Sequence, residues 1–134
     1  MKVRDNQRSR VYRSEHLAWS VYDQETMIPL TLNNCQKLTD RLVPNICVMD
    51  GRGRRKAWAG YVGCRRVIKL PKWARTKFTV CHEASHWITG IGLGHNNNFA
   101  ATLLDLIRRI VGPLEAEILK QSYKECRVRF RRHK

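Results

Sequence analysis

The stretch that decides most about this chain reads Val80-Cys81-His82-Glu83-Ala84-Ser85-His86-Trp87. Apolar residues recur around it at helical spacing from about residue 76 to residue 89, so the stretch is predicted to lie on a helix. Three glycines between residues 90 and 94 end that helix, because glycine readily adopts the left-handed conformation found at helix ends. His82 and His86 then project from one helix face, about one turn apart.

Two imidazoles in this arrangement can bind one zinc ion, so Zn²⁺ is the predicted cofactor with His82 and His86 as ligands. Zinc lowers the pKa of a bound water toward about 7, and Glu83 can reach that water as the catalytic base. An HExxH string arises by chance in fewer than about one in a hundred chains of this size. A metal site is therefore favoured over an ordinary solvent-facing helix.

A catalytic zinc ion usually has three protein ligands, so a third must come from elsewhere in the chain. His95 is the preferred candidate because it lies nine residues after His86, just past the glycines, where the chain can fold back over the site. Glu115 and Glu117 are the alternatives, since a carboxylate on a later helix can also bind zinc.

The segments on either side of the motif predict an α+β domain over residues 1–126. Helices are expected at residues 7–22, from the Thr31 N-cap to Pro44, at 97–111 and from Pro113 to about 126. Strands are expected at 45–49, 57–64 and 67–70. The prediction is a small, twisted, mainly antiparallel sheet packed with about five helices, one of which carries HExxH.

The charge distribution predicts an affinity for nucleic acid or another acidic partner. Twenty-six basic residues face eleven acidic ones, giving a net charge of +15, and residues 51–82 contain ten Lys or Arg and no acid. Trp58, Tyr61 and Trp73 interleave with these cations, a pattern typical of single-strand binding, although a solvated cationic face is the alternative. The candidate contacts are Arg52, Arg54, Arg55, Lys56, Arg65, Arg66, Arg127, Arg129, Arg131 and Arg132. Residues 127–134 are expected to form a basic, flexible C-terminal arm.

Composition argues against several other classes of protein. Apolar residues make up 43% of the chain, enough to fold, but none of its apolar stretches approaches the roughly 18 to 20 residues that span a bilayer. The N-terminus lacks the apolar region of a signal peptide, which predicts a cytoplasmic protein without a membrane partner. The five cysteines form no CxxC pair, so most are expected to be buried thiols rather than disulfides or zinc ligands.

Several other residues are weaker candidates for the site. Asp105 could orient a ligand histidine, and Tyr61 or Tyr123 could stabilise an oxyanion. Trp73 and Trp87 flank the predicted site, where a place in the core is favoured over a place in the substrate cleft.

A longer string extends the motif: His82-Glu83-x-x-His86, then eight residues, then His95-x-x-x-Phe99 and an apolar helix. In this string the chain resembles the SprT-like and Spartan-type metalloproteases. It is more similar still to a family of small metallohydrolases from actinobacteria and their phages. That similarity extends to Arg4-Asp5-x-Gln7-Arg8-x-x-Val11-Tyr12-x-x-Glu15, Ile68-x-Leu70-Pro71-x-Trp73-Ala74-Arg75, Phe99-Ala100-x-Thr102-Leu103-Leu104 and Gly112-Pro113.

The resemblance implies a minimal zincin-like fold with His82, His86 and His95 as zinc ligands and Glu83 as base. Members of the family commonly have His-Gly-Pro at the third ligand, where this chain has His95-Asn96-Asn97. The expected function is a zinc peptidase in a bacterial or phage-infected cell, acting on protein or peptide substrates, with proteins bound to DNA as one candidate class. The alternatives are a zinc-containing module that binds nucleic acid or protein without catalysis, and a hydrolase of a non-peptide bond.

Overall fold

Five α-helices and a three-stranded sheet make up residues 4–132, the part of the chain that the computed structural model describes. The helices are α1 (Arg8–Val21), α2 (Leu32–Leu42), α3 (Lys77–Thr89), α4 (Asn97–Ile110) and α5 (Pro113–Glu125). The strands are β1 (Cys47–Asp50), β2 (Trp58–Val62) and β3 (Arg65–Leu70), and a short 3-10 helix, Lys72–Ala74, leads from β3 toward α3. The α+β class and all five predicted helices are confirmed.

The helix ends follow from local sequence. Thr31, Thr76 and Asn96 cap α2, α3 and α4, each accepting a hydrogen bond from the backbone N–H three residues later. Pro113 opens α5, where its missing N–H costs nothing. Within residues 4–132, no helix combines the length and apolar character needed to cross a membrane.

The sheet is mixed, with strand order β1-β3-β2. β2 and β3 pair antiparallel, as predicted, but β1 pairs parallel with β3, so the expectation of a mainly antiparallel sheet is wrong for one of the two pairings. The Asp50-Gly51 step does begin a turn, in which the Arg54 N–H donates to the Gly51 carbonyl (2.9 Å). Residues 52–57 then carry the chain to the far edge of the sheet, which leaves the central position to β3.

The core lies between one face of the sheet and the helices. Val48 on β1 and Ile68 and Leu70 on β3 belong to a single apolar cluster with residues of all five helices. Nine of the thirteen residues of α3 are buried, so the helix that carries the HEASH motif is the central element of the domain. All five cysteines are free; Cys35 and Cys81 are fully buried, while Cys64 is exposed.

The C-terminal segment packs against the domain instead of extending into solvent. Val128 is buried and its N–H donates to the Tyr123 carbonyl (2.8 Å), while the Phe130 ring stacks on Tyr123 with 5.7 Å between ring centroids. The expected flexible arm is therefore wrong for residues 127–132, because apolar residues alternate with the arginines and find a place in the core. Residues 133 and 134 lie outside the described part of the chain.

A chain that ends at residue 126 should be less stable than the full chain by roughly 2–4 kcal/mol, since it loses the buried Val128 and the stacked Phe130. The measurement is the free energy of unfolding in urea. Arg131→Ala is the control, because it removes a charge from the same segment at an exposed position. Equal stability of the truncated and full chains would show that the segment is not docked in solution.

Candidate metal centre

Three histidines that are separate in sequence converge at one end of α3. His82 and His86 project from successive turns of α3, and His95 comes from the loop before α4. Their ligand nitrogens all lie within 4.8 Å of one another, and the Nε2 atoms of His82 and His95 are 3.3 Å apart. Within residues 4–132, this group has the geometry of a metal site, while Glu115 and Glu117 lie outside it on α5. Of the three candidates for the third position, His95 is the one whose ring lies with those of His82 and His86.

Two carboxylate contacts orient these rings, one from the buried Glu15 and one from the half-buried Asp5. Glu15 on α1 forms a hydrogen bond with Nδ1 of His82. Asp5 accepts two hydrogen bonds from His95, one from Nδ1 (2.6 Å) and one from the backbone N–H (3.0 Å). Because Nδ1 of each ring faces a carboxylate, Nε2 is the nitrogen that each ring directs toward the other and toward a metal.

The three imidazole nitrogens form a donor set that can hold a metal ion, and one of their separations matches a tetrahedral site. Zinc–nitrogen bonds of about 2.0–2.1 Å in a tetrahedron place neighbouring ligand atoms roughly 3.3–3.4 Å apart. The 3.3 Å between Nε2 of His82 and Nε2 of His95 matches that edge. Two such nitrogens repel each other at this distance unless a cation, either a proton or a metal, lies between them. The buried cluster can therefore hold a metal ion.

Phe99 forms the floor beneath the three imidazoles, with its ring centroid 4.9 Å from His82, 4.5 Å from His86 and 4.8 Å from His95. It lies in the first turn of α4, where its N–H donates to Oδ1 of Asn96 (2.9 Å). The asparagine after His95 thus caps the helix that brings Phe99 under the site.

Gly94 is required next to the third histidine for two reasons. Its φ of +71° is a left-handed conformation that side chains other than glycine rarely adopt. A Cβ at this position would also lie 2.7 Å from Cγ of Asp5, the carboxyl group that holds His95. The glycine therefore allows Asp5 to approach the loop closely enough to make both of its hydrogen bonds.

Burial and neighbouring charges shift the protonation of the site. Burial by itself lowers the pKa of His82, but the adjacent Glu15 carboxylate outweighs burial and raises it to about 9. Burial lowers the pKa of His86 to about 2, and burial together with the charge on His82 also lowers that of His95.

Glu83 lies beside the histidines in a position suited to proton transfer. Its Oε2 is 3.8 Å from Nε2 of His82, and the residue is only 6% exposed. Burial raises the pKa of Glu83 to about 7. Glu83 and His82 line one wall of a cavity of about 150 Å³ that lies between α1 and α3.

Asp5, Tyr12 and Glu15 have no role predicted from the sequence, although all three stand in the N-terminal string that carries the family resemblance. Tyr12 lies parallel to His82 (5.9 Å between centroids) and edge-on to His95 (5.0 Å). A signal was available for Glu15, which occupies the apolar face of the predicted first helix between Val11 and Ala18. A carboxyl group on such a face requires a buried partner.

Other predicted site residues lie elsewhere. Asp105 pairs with Arg132 (2.6 Å) and Arg108 (3.4 Å) instead of orienting a histidine. Tyr61 on β2 packs against Trp87 on α3, and Tyr123 is buried in the core against Phe130. Neither tyrosine lines the cavity beside Glu83, so neither is in position to contact a substrate there.

The two flanking tryptophans differ. Trp87 is buried and donates to the Val67 carbonyl (3.1 Å), which confirms its place in the core. Trp73 is 56% exposed and lines the cavity beside Glu83, so the preferred core position is wrong for this residue. The reason is its location on the 3-10 helix at the domain surface, where its indole N–H donates to the Arg55 carbonyl (2.8 Å).

The basic candidates fall into two sets. Arg52, Arg54, Arg55, Lys56, Arg65 and Arg66 lie on the sheet or the loop before β2, and Arg127, Arg129, Arg131 and Arg132 lie on the docked C-terminal segment. Several contact aromatic rings: Arg54 with Trp58 (5.1 Å), Lys56 with Tyr12 (4.8 Å) and Arg66 with Trp87 (4.7 Å).

Comparison of the chain with protein-family models, with curated proteins and with solved structures finds no match.

Purified protein should carry about one metal ion per chain, and His95→Ala should lose most of it. Glu15→Gln and Asp5→Asn should keep the three ligands but weaken metal affinity by about 10- to 100-fold, because each removes the carboxylate that orients a ring. The measurements are metal content by elemental analysis and affinity by chelator competition. Asp105→Asn is the matched control and should leave both unchanged. Full metal content in His95→Ala would contradict the three-histidine site.

Proposed function

We propose that this chain is a zinc-dependent hydrolase of the zincin type, most simply a peptidase. The observation that carries the proposal is the buried Glu83 carboxylate beside three converging imidazoles and a cavity. The resemblance to SprT-like metalloproteases supports the same assignment, since it places the same residues in the same roles. Imidazole donors suit several metals, and zinc is proposed because a tetrahedral three-nitrogen set with a water position is typical of catalytic zinc.

When bound, zinc supplies Lewis acidity that polarises a substrate carbonyl and acidifies a water molecule. Glu83 would accept a proton from the attacking water and pass it to the leaving amine. Its burial next to His82 places the carboxyl group where both transfers can occur. Glu15 and Asp5 hold the rings of His82 and His95 throughout.

Tyr12 is the best candidate for stabilising negative charge on the substrate. It lines the same cavity as Glu83 and lies against His82 and His95. Burial raises the pKa of Tyr12 above its ordinary value of 10.0, so its hydroxyl stays protonated at neutral pH and can donate a hydrogen bond to a carbonyl oxygen.

Glu83→Gln should retain zinc and lose at least about 100-fold in hydrolysis, because the amide cannot accept the proton from water. The assay is cleavage of unfolded proteins and fluorogenic peptides, with and without DNA, in parallel with zinc content. Asp105→Asn is the control acid outside the site. Unchanged hydrolysis in Glu83→Gln would contradict the mechanism. Zinc-loaded wild type that cleaves no protein or peptide would reject the peptidase assignment and direct the search to small-molecule amides.

A second function, binding of single-stranded nucleic acid, is favoured by the outer face of the sheet. Ile68 and Leu70 face the core, so Lys69 between them faces away, and its cross-strand partner Trp58 shares that face. Arg54 and Lys69 bring positive charge to within 5.1 and 5.4 Å of the Trp58 ring.

Gly60 lets this tryptophan lie close to the sheet, since a Cβ there would be 2.5 Å from Cζ2 of Trp58. A fixed aromatic ring beside two cations, on a protein with a net charge of +15, is the arrangement that attracts phosphates and stacks bases. We propose that nucleic acid contacts this face. The proposal holds whether the nucleic acid brings a protein substrate to the histidines or is the protein's sole partner.

Binding to a single-stranded oligonucleotide should weaken steeply with salt. Replacing Arg54 and Lys69 by Gln should reduce the slope of log affinity against log salt by about 1.4, or roughly 0.7 for each lost phosphate contact. Fluorescence anisotropy over a salt series gives the slope. Lys120→Gln with Lys124→Gln on α5 is the control, because it removes the same charge from another element. If both double variants lower the slope equally, the effect comes from net charge alone, and this face is rejected as the nucleic-acid contact.

A further inference from the structure

The cavity beside Glu83 is a built pocket with aromatic walls. It measures about 150 Å³ and lies between one face of α1, which contributes Tyr12 and Trp19, and the face of α3 that carries Glu83. Ala57, in the loop before β2, and Trp73, on the 3-10 helix, close the other sides.

Contacts within the domain hold these walls in place. The Trp73 indole N–H donates to the Arg55 carbonyl (2.8 Å), which fixes the loop before β2 against the 3-10 helix. Trp19 packs edge-on against the buried Phe78 ring, with 5.4 Å between centroids. The pocket is therefore formed before any ligand enters, so binding does not require ordering its walls.

The charged groups around the pocket are largely committed to other partners. Glu15 is bound to His82, and the Lys56 ammonium lies 4.8 Å from the centre of the Tyr12 ring. Within residues 4–132, the buried indole N–H of Trp19 has no hydrogen-bond partner. These features suit an uncharged group with a large apolar surface.

We propose that this pocket binds an aromatic or large aliphatic side chain of the substrate, on the residue next to the cleaved bond. The inference rests on the proposed hydrolase function and adds the class of substrate. Size supports it, because a cavity of about 150 Å³ is large enough to hold a benzene ring. Position supports it as well, since a side chain between Trp19 and Trp73 places its backbone beside Glu83 and the histidines.

The test uses zinc-loaded protein and two hydroxamates, which chelate the metal equally and differ only in the attached group. Acetohydroxamate carries a methyl group, and 3-phenylpropanohydroxamate carries a phenyl ring on a short linker. Isothermal titration calorimetry should show the phenyl compound binding at least about tenfold more tightly, as expected when a ring is buried in a preformed pocket. Zinc content is measured after titration to verify that chelation has not removed the metal.

Two variants locate the selectivity in this pocket without touching a metal ligand. Ala57→Phe fills the pocket and Trp73→Ala removes a wall, and each should reduce the preference for the phenyl compound to about threefold or less. Tyr61→Ala is the matched control, because Tyr61 is also 56% exposed but packs against Trp87 on the sheet. It should keep the full preference.

The outcomes separate this inference from the proposed function. If both hydroxamates bind with equal affinity, the site has an open metal position but the pocket is not a selectivity pocket, and the inference is overturned alone. A phenyl preference that survives both pocket variants also overturns it. If neither compound binds the zinc-loaded protein, the metal has no open position, and the hydrolase proposal fails together with the inference.

Discussion

The structure depends on two contacts between a carboxylate and a histidine, the buried Glu15 with His82 and the half-buried Asp5 with His95. A charged carboxyl group inside a protein is tolerated only when it is paired and hydrogen-bonded. Each contact therefore ties the N-terminal segment to the part of the chain that carries the metal-site histidines. The orientation of both Nε2 atoms follows from these two pairs, and Gly94 allows the close approach that the second pair needs.

Hydrogen bonds of Gln7 connect the histidine cluster to the C-terminal segment. Its side-chain amide donates to the backbone carbonyls of His95 (3.2 Å) and Arg129 (3.1 Å), and its carbonyl oxygen accepts the Arg129 N–H (2.6 Å). One buried glutamine thus supports the third histidine and docks residues near the end of the chain. The basic C-terminal segment has a structural role in addition to its charge, so deleting it does not isolate an electrostatic effect.

The proposed activities use different surfaces of a small domain. The cavity beside Glu83 lies between α1 and α3, whereas Trp58 and Lys69 face away from the core on the sheet. The loop before β2 contributes to both, since Lys56 and Ala57 line the cavity and Arg54 contacts Trp58. A nucleic-acid strand bound on the sheet and a polypeptide bound in the cavity would consequently meet along this loop. That arrangement offers a physical route by which nucleic acid could bring a protein substrate to the site.

The sequence by itself determined whatever depends on neighbours within a few residues: the helix ends at Thr31, Thr76 and Asn96, and the shared face of His82 and His86. These features are set by hydrogen bonds and side-chain spacing over three or four positions. The residues involved are therefore visible in the amino-acid sequence itself. Only the tertiary structure decided the partners of the histidines, because Glu15 and Asp5 lie 67 and 90 residues away from them in the chain. The parallel pairing of β1 with β3, the exposure of Trp73 and the docking of Val128 likewise depend on how whole elements pack, a balance of many weak contacts that no local pattern records.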